Sequence, residues 1–175
     1  MSTRPGSDVA GASPVVLPRR RGPRPRTTSR IPHAQLDQQP TDPAIIELLA
    51  RKIFGLPGVH RGPSGVSVPG ASAAIIEDAV VTAGEFLVGR EFAHIHPAPD
   101  HSLHVALPAP LADHVIELGW AERHMLAGTD GVPIGTVMVY APRDAEESAI
   151  VAAIVESGYR SLVTNPAQVQ AEDLV

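Results

Sequence analysis

Between residues 41 and 166 the hydrophobic positions change period several times, and each change marks an element. Thr41-Asp42-Pro43 opens a helix, with Asp42 as N-cap and Pro43 at the first helical position. Ile45, Leu48, Leu49 and Ile53 then recur at helical spacing, and Gly55-Leu56-Pro57-Gly58 ends the run. Short strand-like pieces follow at residues 66–68 and 72–77, each broken by Gly or Pro. Residues 85–96 are the most strand-like run, with Gly89 as the expected bulge. A second strand spans residues 102–107, with Leu103, Val105 and Leu107 on one face and Ser102, His104 and Ala106 on the other. Pro108-Ala109-Pro110 starts a helix striped by Leu111, Val115 and Leu118 and stopped by Gly119. Residues 135–141 read as a third strand. Asp144 with Glu147 three residues on resembles a capping box, ahead of an amphipathic helix carrying Ile150, Val151, Ile154 and Val155. Helices mixed with hairpin-connected strands predict an α+β fold: a small antiparallel sheet with helices packed on one side.

Composition narrows this picture. A 175-residue chain with 43% hydrophobic residues suits one domain, and 3% aromatics leaves aliphatic side chains to fill its core. The absence of cysteine excludes disulfides and thiolate metal sites. No apolar run approaches the ~18 residues of a membrane span. No apolar segment follows the N-terminal arginines, so the expected location is the cytoplasm. Charge is unevenly spread: residues 1–40 hold seven arginines, two aspartates and seven of the 18 prolines, whereas residues 41–175 hold seventeen acidic and seven basic residues. Residues 1–40 therefore read as a disordered Pro/Arg-rich tail, expected to be dispensable for stability. Residues 41–166 read as the folded domain and 167–175 as a loose C-terminal tail. So few charges would give only salt-sensitive contact, so neither nucleic acid nor a membrane is expected as a partner. The sequence leaves the oligomeric state open.

The candidate chemistry is histidine. Alternation puts His94 and His96 on one strand face. The connection at residues 97–101 has a common hairpin-loop length. Closed symmetrically, it sets His96 opposite Ser102 and His94 opposite His104, with Cβ atoms about 4.5–5.5 Å apart. Three readings stay open for this face: a metal site, acid–base chemistry on an organic molecule, and a structural polar network. Alternation turns Glu91 to the opposite face and Asp100 lies in the loop, so neither is expected to orient an imidazole. The pocket is accordingly expected to be metal-free, with histidines titrating near neutrality. In a second cluster, Trp120 is a core plug or pocket wall, and Arg123 is an anchor for an enolate, phenolate or carboxylate or else a surface partner. His124 adjoins it, and Tyr140 is a candidate for the pocket wall. His33, His60 and His114 read as incidental and His101 as solvent-facing.

These residues together resemble the domain of fungal luciferases, oxygen-dependent enzymes acting on hydroxylated hispidin. The resemblance rests on Arg90-Glu91-x-Ala93-His94-x-His96, Leu103-His104, Gly119-Trp120-x-x-Arg123-His124-x-Leu126-Ala127-Gly128 and Tyr140-Ala141-Pro142-Arg143. Glu146 and Glu147 follow, Thr164-Asn165-Pro166 extends the match, and it covers about residues 85–166. It departs where Met125 stands in place of a proline, in the hairpin loop, and in the Pro/Arg tail that replaces a hydrophobic anchor. The resemblance implies oxygenation of a small enolisable aromatic or polyketide-like molecule by molecular oxygen, without cofactor or metal. It implies His94, His96, His104 and His124 as the catalytic set and Arg90, Trp120, Arg123 and Tyr140 as substrate-binding residues. In the implied mechanism His94 or His104 removes a proton from an enol or phenol, and Arg123 and His124 stabilise the developing charge. A non-catalytic ligand-binding or interaction module and a small His-ligated metalloenzyme are the alternatives.

Overall fold

A computed structural model describes residues 16–77, 81, 84–129 and 131–163. The expectations for Asp130, for Thr164-Asn165-Pro166 and for the tail at 167–175 lie outside the described residues, as do residues 1–15. In chain order the elements are α1 (Ala44–Phe54), β1 (Val59–Pro63), β2 (Ser72–Ile76), β3 (Glu91–Ile95), β4 (Leu103–Ala106), α2 (Ala109–Glu117), β5 (Ala121–Arg123), β6 (Thr136–Val139) and α3 (Ala145–Leu162). The strands form one antiparallel sheet in the order β1-β2-β3-β4-β6-β5. The expected α+β class holds, with the three helices contributing to one core with the sheet.

Each well-placed element has a local cause. Asp42 Oδ1 accepts from the Ala44 N–H at 2.9 Å, relieving an orphan donor at the start of α1. Asp144 Oδ1 accepts from Glu147 N–H at 2.8 Å, while the Glu147 carboxylate accepts from Arg143 N–H at 2.9 Å. The predicted reciprocal cap is therefore present, its return bond landing one residue ahead of the N-cap. α3 buries Val151, Ile154, Val155 and Leu162 in the same core as Leu103, Val105, Val137 and Val139. Strand alternation puts these sheet residues on the helix side.

Two strands went unforeseen. β1 carries an exposed and half-exposed sequence ending in Pro63, as befits a sheet edge. β5 has only three residues, too few for a period to show. Residues 66–68, expected as a strand, form a loop instead. Gly89 is not the bulge: it sits at φ +53° in the turn before β3. The irregularity lies at Phe92, because Ala74 pairs with Ala93 while Ile75 pairs with Glu91. That extra residue breaks the alternation. Phe92 turns into the helix-side core, its ring 6.1 Å from that of Tyr159, and Glu91 is left on the histidine side.

The expected tail at residues 1–40 divides. From residue 16 onward the chain is a strap over the domain. Leu17 enters the core, Arg20 N–H donates to Leu118 O at 2.9 Å, and Trp120 Nε1–H donates to Pro18 O at 2.6 Å. The buried Gln35 accepts from Ala141 N–H at 2.8 Å through its side chain and donates its own N–H to Asp100 at 3.1 Å. Composition suggested disorder because the segment lacks apolar periodicity. It is held instead by polar side chains and backbone groups, which leave no period.

Candidate active site

A cavity of about 540 Å³ opens on the sheet face away from the helices. His94 and His96 of the β3 side and His104 of β4 form its floor. His33 of the strap, Ser67, His124 after β5 and Thr136 of β6 complete the polar lining. Ile31, Val66, Val68, Leu87, Leu126 and Val132 make the remaining wall apolar. The hairpin register is the predicted one: His94 pairs with His104, and His96 N–H donates to Ser102 O at 2.9 Å. Ring centroids lie 5.0 Å apart for His94 and His104, 4.7 Å for His96 and His104, and 4.6 Å for His104 and His124.

Carboxylates orient three of these rings. Glu91 lies 2.7 Å from His94 Nδ1, Asp100 2.5 Å from His96 Nδ1, and Glu122 2.7 Å from His33 Nε2. The bulge at Phe92 thus reverses the expectation that Glu91 faces away, and the hairpin loop folds Asp100 back onto His96. Glu91 is itself gripped by Ser64 Oγ–H at 2.7 Å and Gly65 N–H at 2.9 Å. Its donors then fix the tautomers. His94 Nδ1–H donates to Glu91, so its Nε2 accepts, at 3.1 Å, from His104 Nδ1–H. Among the described residues His104 Nε2 is left as a buried lone pair with no partner, and His33 Nδ1 is likewise buried and unpartnered, its Nε2 being engaged with Glu122.

Electrostatics keeps these groups in opposite charge states. Burial lowers the His94 pKa against the pull of Glu91. Burial and then the imidazoles of His94, His96, His124 and His33 lower that of His104 far more. Burial, followed by His33, His94 and His96, brings His124 down to about 4. The expected titration near neutrality is not met by His124, and the pKa values of His94 and His104 also move down, which favours the neutral imidazole. Burial would raise the carboxyls of Glu91, Asp100 and Glu122, yet hydrogen bonds, chiefly from His94, His96 and His33 respectively, hold all three below the ordinary range.

Of the eight sequence-derived site residues, the structure gathers His94, His96, His104 and His124 at the cavity and leaves the other four outside its lining. Arg90 is exposed on the turn before β3, its guanidinium 5.4 Å over the Phe86 ring. Trp120 is buried under the strap, holding Pro18. Arg123 pairs with Asp113 and donates to Ile134 O, which turns it from the histidines. Tyr140 is fully buried and reaches the site only through Glu122, to which its hydroxyl donates at 3.0 Å. Sequence reasoning missed His33, Glu91, Asp100 and Glu122. His33 gave no signal, because it comes from a segment without a period. Glu122 could have been noticed two residues before His124 on one strand face.

Comparison with known proteins identifies a family and several relatives. Residues 89–158 match the Luciferase domain family. The chain is 35% identical over 170 residues to a luciferase of Armillaria gallica, covering 87% of this chain and 64% of that protein. It is 34% identical over 167 residues to a luciferase of Armillaria mellea, covering 86% and 63%. It is 41% identical over 80 residues to a luciferase of Neonothopanus nambi, covering 45% and 30%. The chain thus spans 64% or less of the length of these relatives. No solved structure matches it. The hairpin of His94, His96 and His104 and the segment carrying His124 all fall within the matched residues, and the chain carries a fungal luciferase-like domain.

Proposed function

We propose that the cavity binds a flat, largely apolar molecule bearing an enol or phenol, and that a floor or strap histidine takes its proton ahead of luciferase-like oxygenation. The observation that carries this reading is the pairing of aliphatic walls with two buried ring nitrogens, His104 Nε2 and His33 Nδ1, that have lone pairs and no partner. A volume of about 540 Å³ suits one small organic molecule. Its hydroxyl would satisfy an orphan nitrogen that otherwise costs roughly 1–3 kcal/mol to bury. In the oxygenation the proton passes to the imidazole, the electron pair left on the substrate forms a C–O bond to dioxygen, and the proton returns to the distal oxygen. Substrate and oxygen balance as a hydroperoxide.

The test is oxygen uptake and light emission with hydroxylated hispidin and related enolisable phenols and pyrones, alongside direct binding by quenching of the single tryptophan. Saturable binding and uptake, reduced at least about 100-fold by His104→Gln or His33→Gln in folded protein, is the expected result, a scale typical of general-base loss. Absence of both binding and uptake across the panel would overturn it.

A further inference from the structure

We propose that the floor of this cavity is a metal site, in which His94, His96 and His104 hold one divalent first-row transition cation with its open coordination position facing the cavity. Each ring offers one nitrogen, and the three lie within 4.8 Å of one another. A tetrahedral ion with bonds of about 2.0–2.1 Å needs ligand nitrogens roughly 3.4 Å apart, a closure that rotations of three rings supply. The rings are 2%, 4% and 8% exposed, so the site is enclosed on the protein side.

Two independent observations point to a cation. First, His94 and His96 each donate Nδ1–H to a carboxylate, Glu91 and Asp100, which fixes Nε2 as the lone-pair nitrogen. That is how ligating imidazoles are held in metal sites. Each carboxylate is itself tied down, Glu91 by Ser64 and Gly65, Asp100 by Ser102 and by Gln35 of the strap. Second, His104 lies beside them, and among the described residues its buried Nε2 has no partner; its Nδ1–H rests on His94 Nε2 at 3.1 Å, a hydrogen bond the cation would replace as the His104 ring turns. A purely structural network would satisfy that atom. Three nitrogen ligands and one open position suit zinc, iron(II) or copper, whereas magnesium and calcium want oxygen.

A second trio, His33, His104 and His124, also lies within reach of one ion. It fits less well, because His124 Nδ1 accepts from Leu126 N–H at 3.2 Å, which puts the ring proton on Nε2. With the cation on the floor, His33 remains the unpartnered base in the wall, positioned by Glu122. This goes beyond the reading of the cavity as an organic-ligand site, and its test needs no organic ligand.

The experiment is a cobalt(II) titration of chelator-treated full-length protein freed of any histidine tag, read by visible d–d absorption and competed with zinc(II). The expected result is one equivalent per chain with the intense band of a four-coordinate ion, displaced by zinc. His96→Gln and His104→Gln should abolish the band, Glu91→Gln should weaken affinity about 10–100-fold, and His33→Gln should leave the stoichiometry at one. Where a glutamine variant fails to fold, zinc-induced shifts of the His94, His96 and His104 ring nitrogens in the wild-type NMR spectrum decide instead. No band, no such shifts, or a band lost in His33→Gln and retained in His96→Gln would overturn the assignment. Failure here with intact oxygen uptake would leave the organic-ligand reading standing.

Discussion

On the helix side of the sheet, Leu103, Val105, Val137 and Val139 are wholly buried among α-helical aliphatics. On the other side the same strands present His94, His104 and Thr136, covered by the strap and by the loop at residues 64–68. The first face is held by dispersion and desolvation, which ask only for the right volume. The second is held by named donor–acceptor pairs, and each pair is worth having only if both partners arrive. The two faces should therefore fail in different ways.

Leu103→Ala attacks the first face and should have the largest effect, a loss of about 2–5 kcal/mol in urea denaturation with unchanged slope. A loss below about 1 kcal/mol would mean that this face is not close-packed. Removing residues 1–40 attacks chiefly the second face, though it also takes Leu17 from the core. It strips partners from Trp120 Nε1, Ala141 N–H and Glu122, so the melting temperature should fall by several degrees while helical circular dichroism persists. An unchanged melting temperature would restore the view of this segment as a dispensable tail. Asp144→Ala removes the cap of α3 and should cost about 1 kcal/mol. That cap touches the strap, because Arg143, bonded to Glu147, also donates to Arg21 O at 2.8 Å, so the cost should not be additive with the deletion. Strict additivity would show that this contact between cap and strap contributes nothing.

The smallest effect concerns pH. Burial opposes ionisation of Glu122, but hydrogen bonds from His33, Thr27 and Tyr140 lower its pKa. A lowered folded-state value means its contribution is fully present above the ordinary carboxylate pKa of about 4.3 and is lost as pH falls through the folded value. Fluorescence of the single tryptophan, bonded to the strap at Pro18, should therefore stay constant from pH 8 to 5 and change only below the ordinary carboxylate range. A change between pH 8 and 6 would show that Glu122 does not control the strap.

The same contrast explains what was legible in the sequence. The helix-side face writes itself as a period, so α2, β4, α3 with its cap and the β3–β4 register all followed from alternation and turn length. The register alone put His94, His96 and His104 together. The carboxylates behind them did not follow, because one extra residue at Phe92 inverts the parity of everything before it. His33 was invisible, because a segment held by hydrogen bonds to distant backbone carries no hydrophobic repeat. Arg90, Trp120, Arg123 and Tyr140 were adjacent in motif, not in space: short motifs share a chain segment, and a strand sends neighbours to opposite faces.

The strap also sets an order of events during synthesis. It leaves the ribosome first, yet its partners lie far downstream: Gln35 waits for Asp100, 65 residues on, and for Ala141, 106 residues on. At about 5–20 residues per second, the interval to Ala141 is on the order of 5–20 s. β6, which joins β4 to β5, ends at Val139, so the sheet is completed at the same late stage. The strap segment must therefore wait unpaired until nearly the whole sheet has been made, and it docks only as the domain is completed.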